Sequence, residues 1–294
     1  MDYSFPRYLL SKQTVDDRAL NKDVVQALRT HLPPEPVRII EVGAGIGTML
    51  KRLVEWDLFC TGEYLLVDDS DANIAYAREW LPQWAAEAGL EVESIKTNRL
   101  RLTGDRHDVD IRLEPGDVFD FIRRNESPAD ILIAHAFLDL LPMPESLDKL
   151  LLLTRNLAWL TINFDGVSTL LPEIDCAFDQ QIESLYHASM DRRPSGGDSH
   201  AGRRLFHYLH ALDVEILAAG GSDWIVHANR GQYPADEKYF LQHVLSFFEN
   251  SLKGFDELKG PTFENWLATR HEQIERGDLV YIAHQVDYLV RKQG

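Results

Sequence analysis

The chain has 294 residues, 45% of them hydrophobic and 26% charged, so it is long enough to bury a core of ordinary globular size. Its formal net charge of −17, without a long run of Lys or Arg, argues against nucleic acid as a partner. The sequence contains no apolar run that approaches the roughly 20 residues needed to span a bilayer and no signal-peptide pattern, which predicts a cytoplasmic protein without membrane contact.

Strands and helices are predicted to alternate along the first part of the chain. Short apolar and β-branched runs predict five strands, at 37–42, 64–67, 109–113, 131–134 and 157–162. Helical patterns lie between most of these strands, at 23–31, 49–56, 71–88 and 146–155. Such alternation predicts an α/β fold in which helices cover both faces of a mostly parallel sheet.

Two segments interrupt this alternation. Residues 99–113 alternate between apolar and polar on either side of a Gly-Asp turn, which predicts a β-hairpin that extends the third strand. A long polar stretch follows the fifth strand at 165–204 and contains a helical pattern at 178–190. Because connections of this length are usually functional, we interpret residues 165–210 as a substrate cap.

The C-terminal part is predicted to contain two further strands around a helical insertion. A sixth strand is expected at 214–218, an acidic and aromatic helical section at 236–276, and a last strand at 279–290. No linker rich in Gly, Ser or Pro separates these elements from the preceding core. We therefore expect a single domain.

The strongest chemical signal is a glycine-rich turn between the first strand and the next helix. Residues 39–47 read IIEVGAGIG, and the glycines are Gly43, Gly45 and Gly47. Glycine lets the backbone turn tightly and approach a ligand, and the following helix N-terminus presents free N–H groups. In a dinucleotide fingerprint, GxGxxG, the third glycine would stand where this chain has Thr48. Glu41 would also repel a diphosphate, whereas it suits a ligand with an ammonium group.

These residues resemble the first motif of the class I methyltransferases, which is an apolar strand, an acidic residue and GxGxG. Further matches follow in the family's order, at 65–70 (LLVDDS), 114–119 (EPGDVF) and 129–135 (ADILIAH). Together the matches cover 37–141, which lies within the first half of the chain. The resemblance implies a Rossmann-like fold with a seven-stranded, mostly parallel sheet, a cap inserted after strand 5 and a helical insertion before the last strand.

The resemblance also implies that the cofactor is S-adenosylmethionine, and it assigns residues to each part of that molecule. The methionine part would be surrounded by one carboxylate and the glycine-rich backbone, from Glu41, Gly43, Ala44, Gly45 and Gly47. Asp68, with Asp69 beside it, would accept hydrogen bonds from the ribose hydroxyls. Asp117 would receive the adenine amino group, and Val118 would lie beside the adenine ring.

Two of these acids have a structural alternative. Asp is a favoured helix N-cap, so Asp68 or Asp117 would then only cap the helix that follows it. For the first of these helices, Asp69 and Asp71 are better capping candidates than Asp68.

The reacting groups are harder to identify, because methyl transfer from a sulfonium mainly requires that the acceptor be held close and aligned. His135 follows the fourth strand, and we expect it to contact the cofactor and to act as a base or substrate contact. A structural histidine at a strand end is the alternative. Asp139 lies one helical turn later and is expected to orient the His135 ring. In the N-terminal segment, Arg18 or Lys12 is expected to meet the methionine carboxylate, with surface ion pairs as the alternative.

Four residues are expected to contact the substrate, namely Tyr186, Arg192, Arg193 and Trp224. A guanidinium offers a planar fork of donors to a carboxylate or phosphate, although at least one of the two arginines would then be a solvated helix end. Trp224 lies in a glycine-flanked loop, and a simple core role is its alternative. No metal is expected, because the two cysteines, Cys60 and Cys176, belong to no CxxC or Cys/His cluster.

The sequence thus predicts an S-adenosylmethionine-dependent methyltransferase that methylates an O, N or C atom of a small molecule. An NAD(P)-dependent oxidoreductase and a non-catalytic S-adenosylmethionine-binding protein are the alternatives. The acceptor and the oligomeric state are left open. The domain is predicted to comprise an N-terminal helical lid, a cofactor-binding core, the cap and C-terminal strands with a helical insertion, at 1–36, 37–164, 165–210 and 211–294.

Overall fold

A computed structural model describes residues 4–124, 127–258 and 261–293 of the chain. The helices in these ranges are α1 (Phe5–Ser11), α2 (Gln13–Ala19), α3 (Lys22–His31), α4 (Thr48–Glu55), α5 (Asp71–Glu87), α6 (Val118–Arg123), α7 (Glu145–Leu150), α8 (Cys176–Asp191), α9 (Ala201–His210), α10 (Glu237–Leu252) and α11 (Pro261–Arg276). Short 3₁₀ turns lie at Leu138–Leu140, Leu151–Leu153 and Asp256–Leu258. Among the described helices, none combines the length and apolar character needed to cross a membrane.

The strands belong to a single mixed sheet. They are β1 (Val37–Val42), β2 (Thr61–Asp68), β3 (Glu91–Lys96), β4 (Arg99–Thr103), β5 (Asp108–Pro115), β6 (Ala129–His135), β7 (Thr154–Leu171), β8 (Val214–Gly221), β9 (Trp224–Val226) and β10 (Val280–Lys292). Their order is β3-β4-β5-β2-β1-β6-β7-β10-β8, and β9 pairs with β10. The central strands β5, β2, β1, β6 and β7 run parallel, whereas β10 is antiparallel to β7 and β8. The predicted α/β fold is therefore confirmed.

The sheet has more strands than the expected seven, because ten strands occur in the described residues. The predicted hairpin is confirmed, since β4 pairs antiparallel with β5 and Thr103 lies opposite Asp108. β3 was not predicted: its residues 91–96 are mostly polar and exposed, so they carry little hydrophobic pattern. β9 is only three residues long and pairs with the first part of β10.

The central strands are buried on both faces, as their nearly continuous apolar sequences indicate. Neighbouring residues of β1 point into different cores, with Ile39 on one side of the sheet and Ile40 on the other. One core includes residues of α3, α4 and α5, and the other includes residues of α6, α7 and α9. Helices therefore cover both faces of the sheet. The parallel strands end together near the glycine-rich turn that follows β1.

A third apolar cluster lies outside the two sheet cores and forms a helical cap. It joins α1, α8, α10 and α11 to the outer parts of β7 and β10. The predicted cap at 165–210 needs correction, because β7 continues to Leu171 and pairs with β10 up to Val280. α9 also packs against the sheet and is not part of the cap. Its approach to β7 is close, because a Cβ on Gly202 would lie 2.7 Å from the carbonyl oxygen of Asn163. The cap is therefore formed by α8 together with the predicted helical insertion.

Candidate functional site

The glycine-rich turn lies at the carboxyl ends of the parallel strands, between β1 and α4. Gly43, Gly45 and Gly47 have φ angles of 62°, 56° and 83°, which L side chains rarely adopt. A Cβ on Gly43 would lie 2.3 Å from the ring of Phe137, and a Cβ on Gly47 would lie 2.6 Å from Leu66. Both the conformation and the close packing therefore require glycine at these positions.

A cavity of about 300 Å³, called here the first cavity, opens beside this turn. Glu41 at the end of β1 and Asp68 at the end of β2 both line it. The other predicted cofactor residues that line it are Gly43, Ala44, Gly45, Asp69, Asp117, Val118 and His135. Gly47 does not line the cavity but is the N-cap of α4. The structure thus brings most of the predicted cofactor residues to one place.

Asp68 ties the glycine-rich turn to the end of β2. Its carboxylate accepts hydrogen bonds from the backbone N–H of Gly45 at 2.7 Å, the backbone N–H of Ser70 at 3.0 Å and the side-chain amide of Asn73 at 3.0 Å. Burial raises the pKa of Asp68. The alternative that Asp68 only caps α5 is wrong, because the N-cap of that helix is Ser70. Asp69 and Asp71, the other capping candidates, are not the N-cap either.

Asp117 both caps a helix and lines the first cavity. Its carboxylate accepts hydrogen bonds from the backbone N–H groups of Phe119 at 2.8 Å and Asp120 at 3.0 Å, at the N-terminus of α6. Asp117 therefore does cap this helix, and it lines the first cavity as well. The cap places the Asp117 side chain beside Val118 in the cavity wall.

Glu41 is a buried acid in the wall of the first cavity. It accepts a hydrogen bond from the Tyr64 hydroxyl at 2.8 Å, and its side chain faces the cavity. Burial raises the pKa of Glu41 to about 8, although Tyr64 and Arg52 oppose this. The carboxyl group is therefore protonated at neutral pH until a cation approaches it.

His135 is held by residues that the sequence analysis did not connect with it. Its Nε2 donates to Asp16 Oδ2 at 3.0 Å, and its Nδ1 accepts from the Thr161 hydroxyl at 2.8 Å. Burial lowers the pKa of His135 to about 4, so the ring is neutral at pH 7. Asp139 makes no hydrogen bond to His135, and the expectation that it orients this ring is corrected: Asp16 of α2 does so.

Asp16 is the centre of a buried network that includes Lys12, Arg52 and Trp224. Its carboxylate lies 3.4 Å from Lys12 Nζ and 3.4 Å from an Arg52 guanidinium nitrogen, and it accepts from Trp224 Nε1 at 2.9 Å. Burial opposes ionisation, but Lys12, His135 and Arg52 hold the pKa of Asp16 well below its usual value. The sequence carried no signal for this network, because Asp16 lies in an unremarkable polar segment.

Arg18 does not occupy the position expected for it. Its guanidinium pairs with the buried carboxylate of Glu237, at 2.6 Å and 2.9 Å, and it does not line the first cavity. The prediction that Arg18 meets the methionine carboxylate is therefore wrong. Lys12, the other candidate in this segment, lines the first cavity.

A second cavity of about 330 Å³ adjoins the first. The two cavities share wall residues from α1 and from the segment after β6, namely Phe5, Leu9, Lys12, Ala136 and Leu140. The second cavity is lined by three of the residues that the sequence predicts as substrate contacts, namely Tyr186, Arg193 and Trp224. Asp139 also lines it. Arg192 lines neither cavity, because its guanidinium turns outward and lies 5.4 Å from the centroid of the Phe255 ring.

Burial strongly affects titratable groups of the second cavity, among them Asp139 and Tyr186. Burial raises the pKa of Asp139 to about 6, with Arg193 opposing it. Burial also raises the pKa of Tyr186 to about 12, and its ring stacks on Phe248 with centroids 4.0 Å apart. Asp139 is therefore ionised at pH 7 but close to its pKa, whereas Tyr186 keeps its proton.

No protein-family model matches the chain, and no curated protein matches its sequence. Among solved structures, a Bacillus halodurans protein named as a candidate methyltransferase is similar, with a TM-score of 0.50 and 10% identity over 93% of this chain and 100% of that chain. A Mycobacterium tuberculosis cyclopropane synthase gives 0.49 and 9%, over 99% of this chain and 95% of that one. A Thiobacillus denitrificans methyltransferase in complex with S-adenosylhomocysteine gives 0.48 and 11%, over 100% of both chains. The chain therefore shares its overall fold with the Bacillus halodurans candidate methyltransferase.

Proposed function

We propose that this protein is an S-adenosylmethionine-dependent methyltransferase that methylates a small molecule on oxygen, nitrogen or carbon. The observation that carries the proposal is that Glu41 and Asp68 line one cavity beside the glycine-rich turn. A second cavity of similar size shares a wall with the first, as a transfer between two bound molecules requires.

The residues of the first cavity fit this cofactor. Lys12 and Glu41 offer a cation and an acid to the carboxylate and the ammonium group of the methionine part. Asp68 offers a carboxylate to the ribose, while Asp117 and Val118 would hold the adenine. When bound, S-adenosylmethionine supplies an electrophilic methyl group on a sulfonium.

The chain's own residues would hold the acceptor and move its proton. Asp139 lines the second cavity, and a pKa of about 6 lets it accept a proton from a hydroxyl or an ammonium group near neutral pH. His135 lines only the first cavity and is neutral, so we assign it a positioning role, with its ring fixed between Asp16 and Thr161. Carbon or amine acceptors that carry no such proton would need only the alignment.

Charge in the first cavity argues against the oxidoreductase alternative. Three aspartates line it, Asp68, Asp69 and Asp117, together with the protonated acid Glu41, whereas Lys12 is the only Lys or Arg among its described lining residues. A dinucleotide would bring a diphosphate into this acidic surrounding, which electrostatics disfavours. The adjoining second cavity likewise supports an enzyme over a non-catalytic cofactor-binding protein.

Calorimetric titration with S-adenosylhomocysteine tests the proposal. We expect the wild-type protein to bind it and NADH to produce no heat of binding. Asp68→Asn should weaken binding about tenfold or more, because a hydrogen bond to a charged group contributes roughly 1.5–3 kcal/mol. Asp71→Asn is the matched control, since Asp71 is exposed, lies three residues away and lines neither main cavity.

Circular dichroism of both variants would confirm that the turn is still folded. Failure of the wild-type protein to bind S-adenosylhomocysteine, or tight binding of NADH instead, would refute the proposed function.

A further inference from the structure

Aromatic side chains form much of the wall of the second cavity. The cap and the outer sheet contribute Tyr8, Phe164, Tyr186, Trp224, Phe247 and Tyr281. Their rings are fixed by other rings: Tyr186 stacks on Phe248 at 4.0 Å, and Tyr8 stacks on Phe240 at 5.7 Å. A preformed wall of rings favours a flat, apolar body, because aromatic groups pack best against offset or edge-on rings.

Arg193 adds a positive charge to this apolar cavity. It is half-buried and makes no ion pair or side-chain hydrogen bond with the residues that the structure describes. The other cation of the cavity, Lys12, is assigned to the carboxylate of the cofactor and lies 3.4 Å from the carboxylate of Asp16. Asp139 lines the same cavity and is ionised at pH 7, but within the described part of the chain it forms neither an ion pair nor a hydrogen bond with Arg193. The guanidinium therefore has donors available to an anionic group of a ligand, and its planar fork suits a carboxylate.

Gln285 of β10 provides a second, independent sign of a polar ligand. Its side chain lines the second cavity, and the residue is 1% exposed. Its Oε1 has no hydrogen-bond partner in the described part of the chain. A buried amide left without a partner costs about 1–3 kcal/mol, so a ligand group that hydrogen-bonds to it would be favoured.

We propose that the methyl acceptor is a flat aromatic acid, whose ring lies among the aromatic side chains of the second cavity and whose carboxylate binds Arg193. A hydroxyl or N–H group of the same molecule satisfies Gln285. This inference rests on the proposed function, because it names the substrate class of the same site. It excludes neutral aromatic compounds and flexible aliphatic acids as preferred acceptors.

Calorimetry on the full-length protein saturated with S-adenosylhomocysteine tests this inference. The probes are 4-hydroxycinnamate, its neutral analogue 4-hydroxycinnamamide and the aliphatic 8-hydroxyoctanoate. We expect the aromatic acid to bind about tenfold or more tightly than either of the other two, since a charge-assisted bidentate contact contributes on this scale.

Arg193→Gln should abolish the preference for the acid over the amide and leave binding of S-adenosylhomocysteine unchanged. Arg192→Gln is the matched control and should keep the preference, because this neighbouring guanidinium lines neither cavity. Equal binding of acid and amide, no binding of any probe, or an unchanged preference in Arg193→Gln would overturn the inference. The proposed function would survive these results as long as S-adenosylhomocysteine binds, whereas loss of that binding in the wild-type protein would refute both.

Discussion

Glu41 illustrates at the scale of one residue how burial sets the charge of an acid. The sequence predicted its place beside the glycine-rich turn, but its protonation state depends on side chains that the motif does not contain. Burial raises the pKa of Glu41 to about 8, well above the ordinary pKa of a glutamate. In the unfolded chain the same group is exposed and ionises near its ordinary pKa, so folding changes its affinity for a proton.

We expect the raised pKa of Glu41 to make the free energy of unfolding depend on pH, and the Glu41→Gln variant to lack this dependence. Because the pKa is raised in the folded state, the stabilising effect of the bound proton is fully present below the unfolded pKa and is lost as the pH rises towards 8. The stability of the wild-type protein relative to Glu41→Gln should therefore fall by a few kcal/mol between about pH 5 and pH 8. Urea denaturation at several pH values measures this.

Asp69→Asn serves as the control for that series, because Asp69 lines the same cavity but is exposed. The difference in free energy of unfolding between Asp69→Asn and the wild-type protein should stay nearly constant over the same pH range. A Glu41→Gln difference that is equally constant would contradict the protonation of Glu41 in the folded protein.

At the scale of elements, the turn between β1 and α4 combines a special backbone conformation with close packing. Gly43 has a φ angle of 62°, and a Cβ there would meet the Phe137 ring at 2.3 Å. Gly89, after α5, has a φ angle of 73°, but a Cβ there would meet nothing within 4 Å. These two glycines therefore separate the cost of backbone strain from the cost of a steric clash.

We expect Gly89→Ala to lower the free energy of unfolding by about 1–2 kcal/mol, the cost of a left-handed conformation for a residue with a Cβ. Gly43→Ala should cost more, because Phe137 must also move, and it should lose binding of S-adenosylhomocysteine. Thermal melting and calorimetry on both variants measure these effects. Unchanged ligand binding in Gly43→Ala would show that the turn does not contact the ligand.

The boundaries of an element could be predicted from the sequence only where a local pattern specifies them. β1 and α4 have the predicted positions, because an apolar run followed by glycines is a local signal. β7 extends beyond its predicted end at 162, since residues 165–171 include polar side chains and are held as a strand by pairing with the distant β10. Hydrophobic pattern cannot report a pairing partner that follows more than 100 residues later.

At the scale of the whole molecule, Asp16 joins elements from both ends of the chain. Its carboxylate connects α2 with Arg52 of α4, His135 of β6 and Trp224 of β9. The network thereby joins α2 to residues that line the two cavities, His135 in the first and Trp224 in the second. A buried acid that compensates two cations should matter to folding as well as to the site.

We expect Asp16→Asn to lower the free energy of unfolding by about 3–5 kcal/mol, because Lys12 and Arg52 then lose the charge that compensates them inside the protein. Asp17→Asn is the control: Asp17 also contacts Arg52 but is partly exposed, so its loss should cost about 1 kcal/mol or less. Urea denaturation compares the two. Equal effects of both substitutions would show that Asp16 is not the centre of the network.

The sequence by itself determined the features whose signals are local. They are the α/β alternation, the glycine-rich turn, the acids Glu41 and Asp68 at successive strand ends, and the hairpin at the sheet edge. These follow from hydrophobic period, glycine conformation and strand order, which neighbouring residues specify. The common cavity of Glu41 and Asp68 follows as well, because the ends of adjacent parallel strands meet at one edge of the sheet.

Only the tertiary structure decided which side chains complete the site. Asp16 meets His135 across 119 residues and Trp224 across 208 residues, and Arg18 turns away to Glu237 over 219 residues. The neighbours Arg192 and Arg193 likewise separate, one to the surface and one into the second cavity. The physical reason is that a long polar side chain takes whichever buried partner the packing of helices brings within reach, and no short stretch of sequence contains that partner.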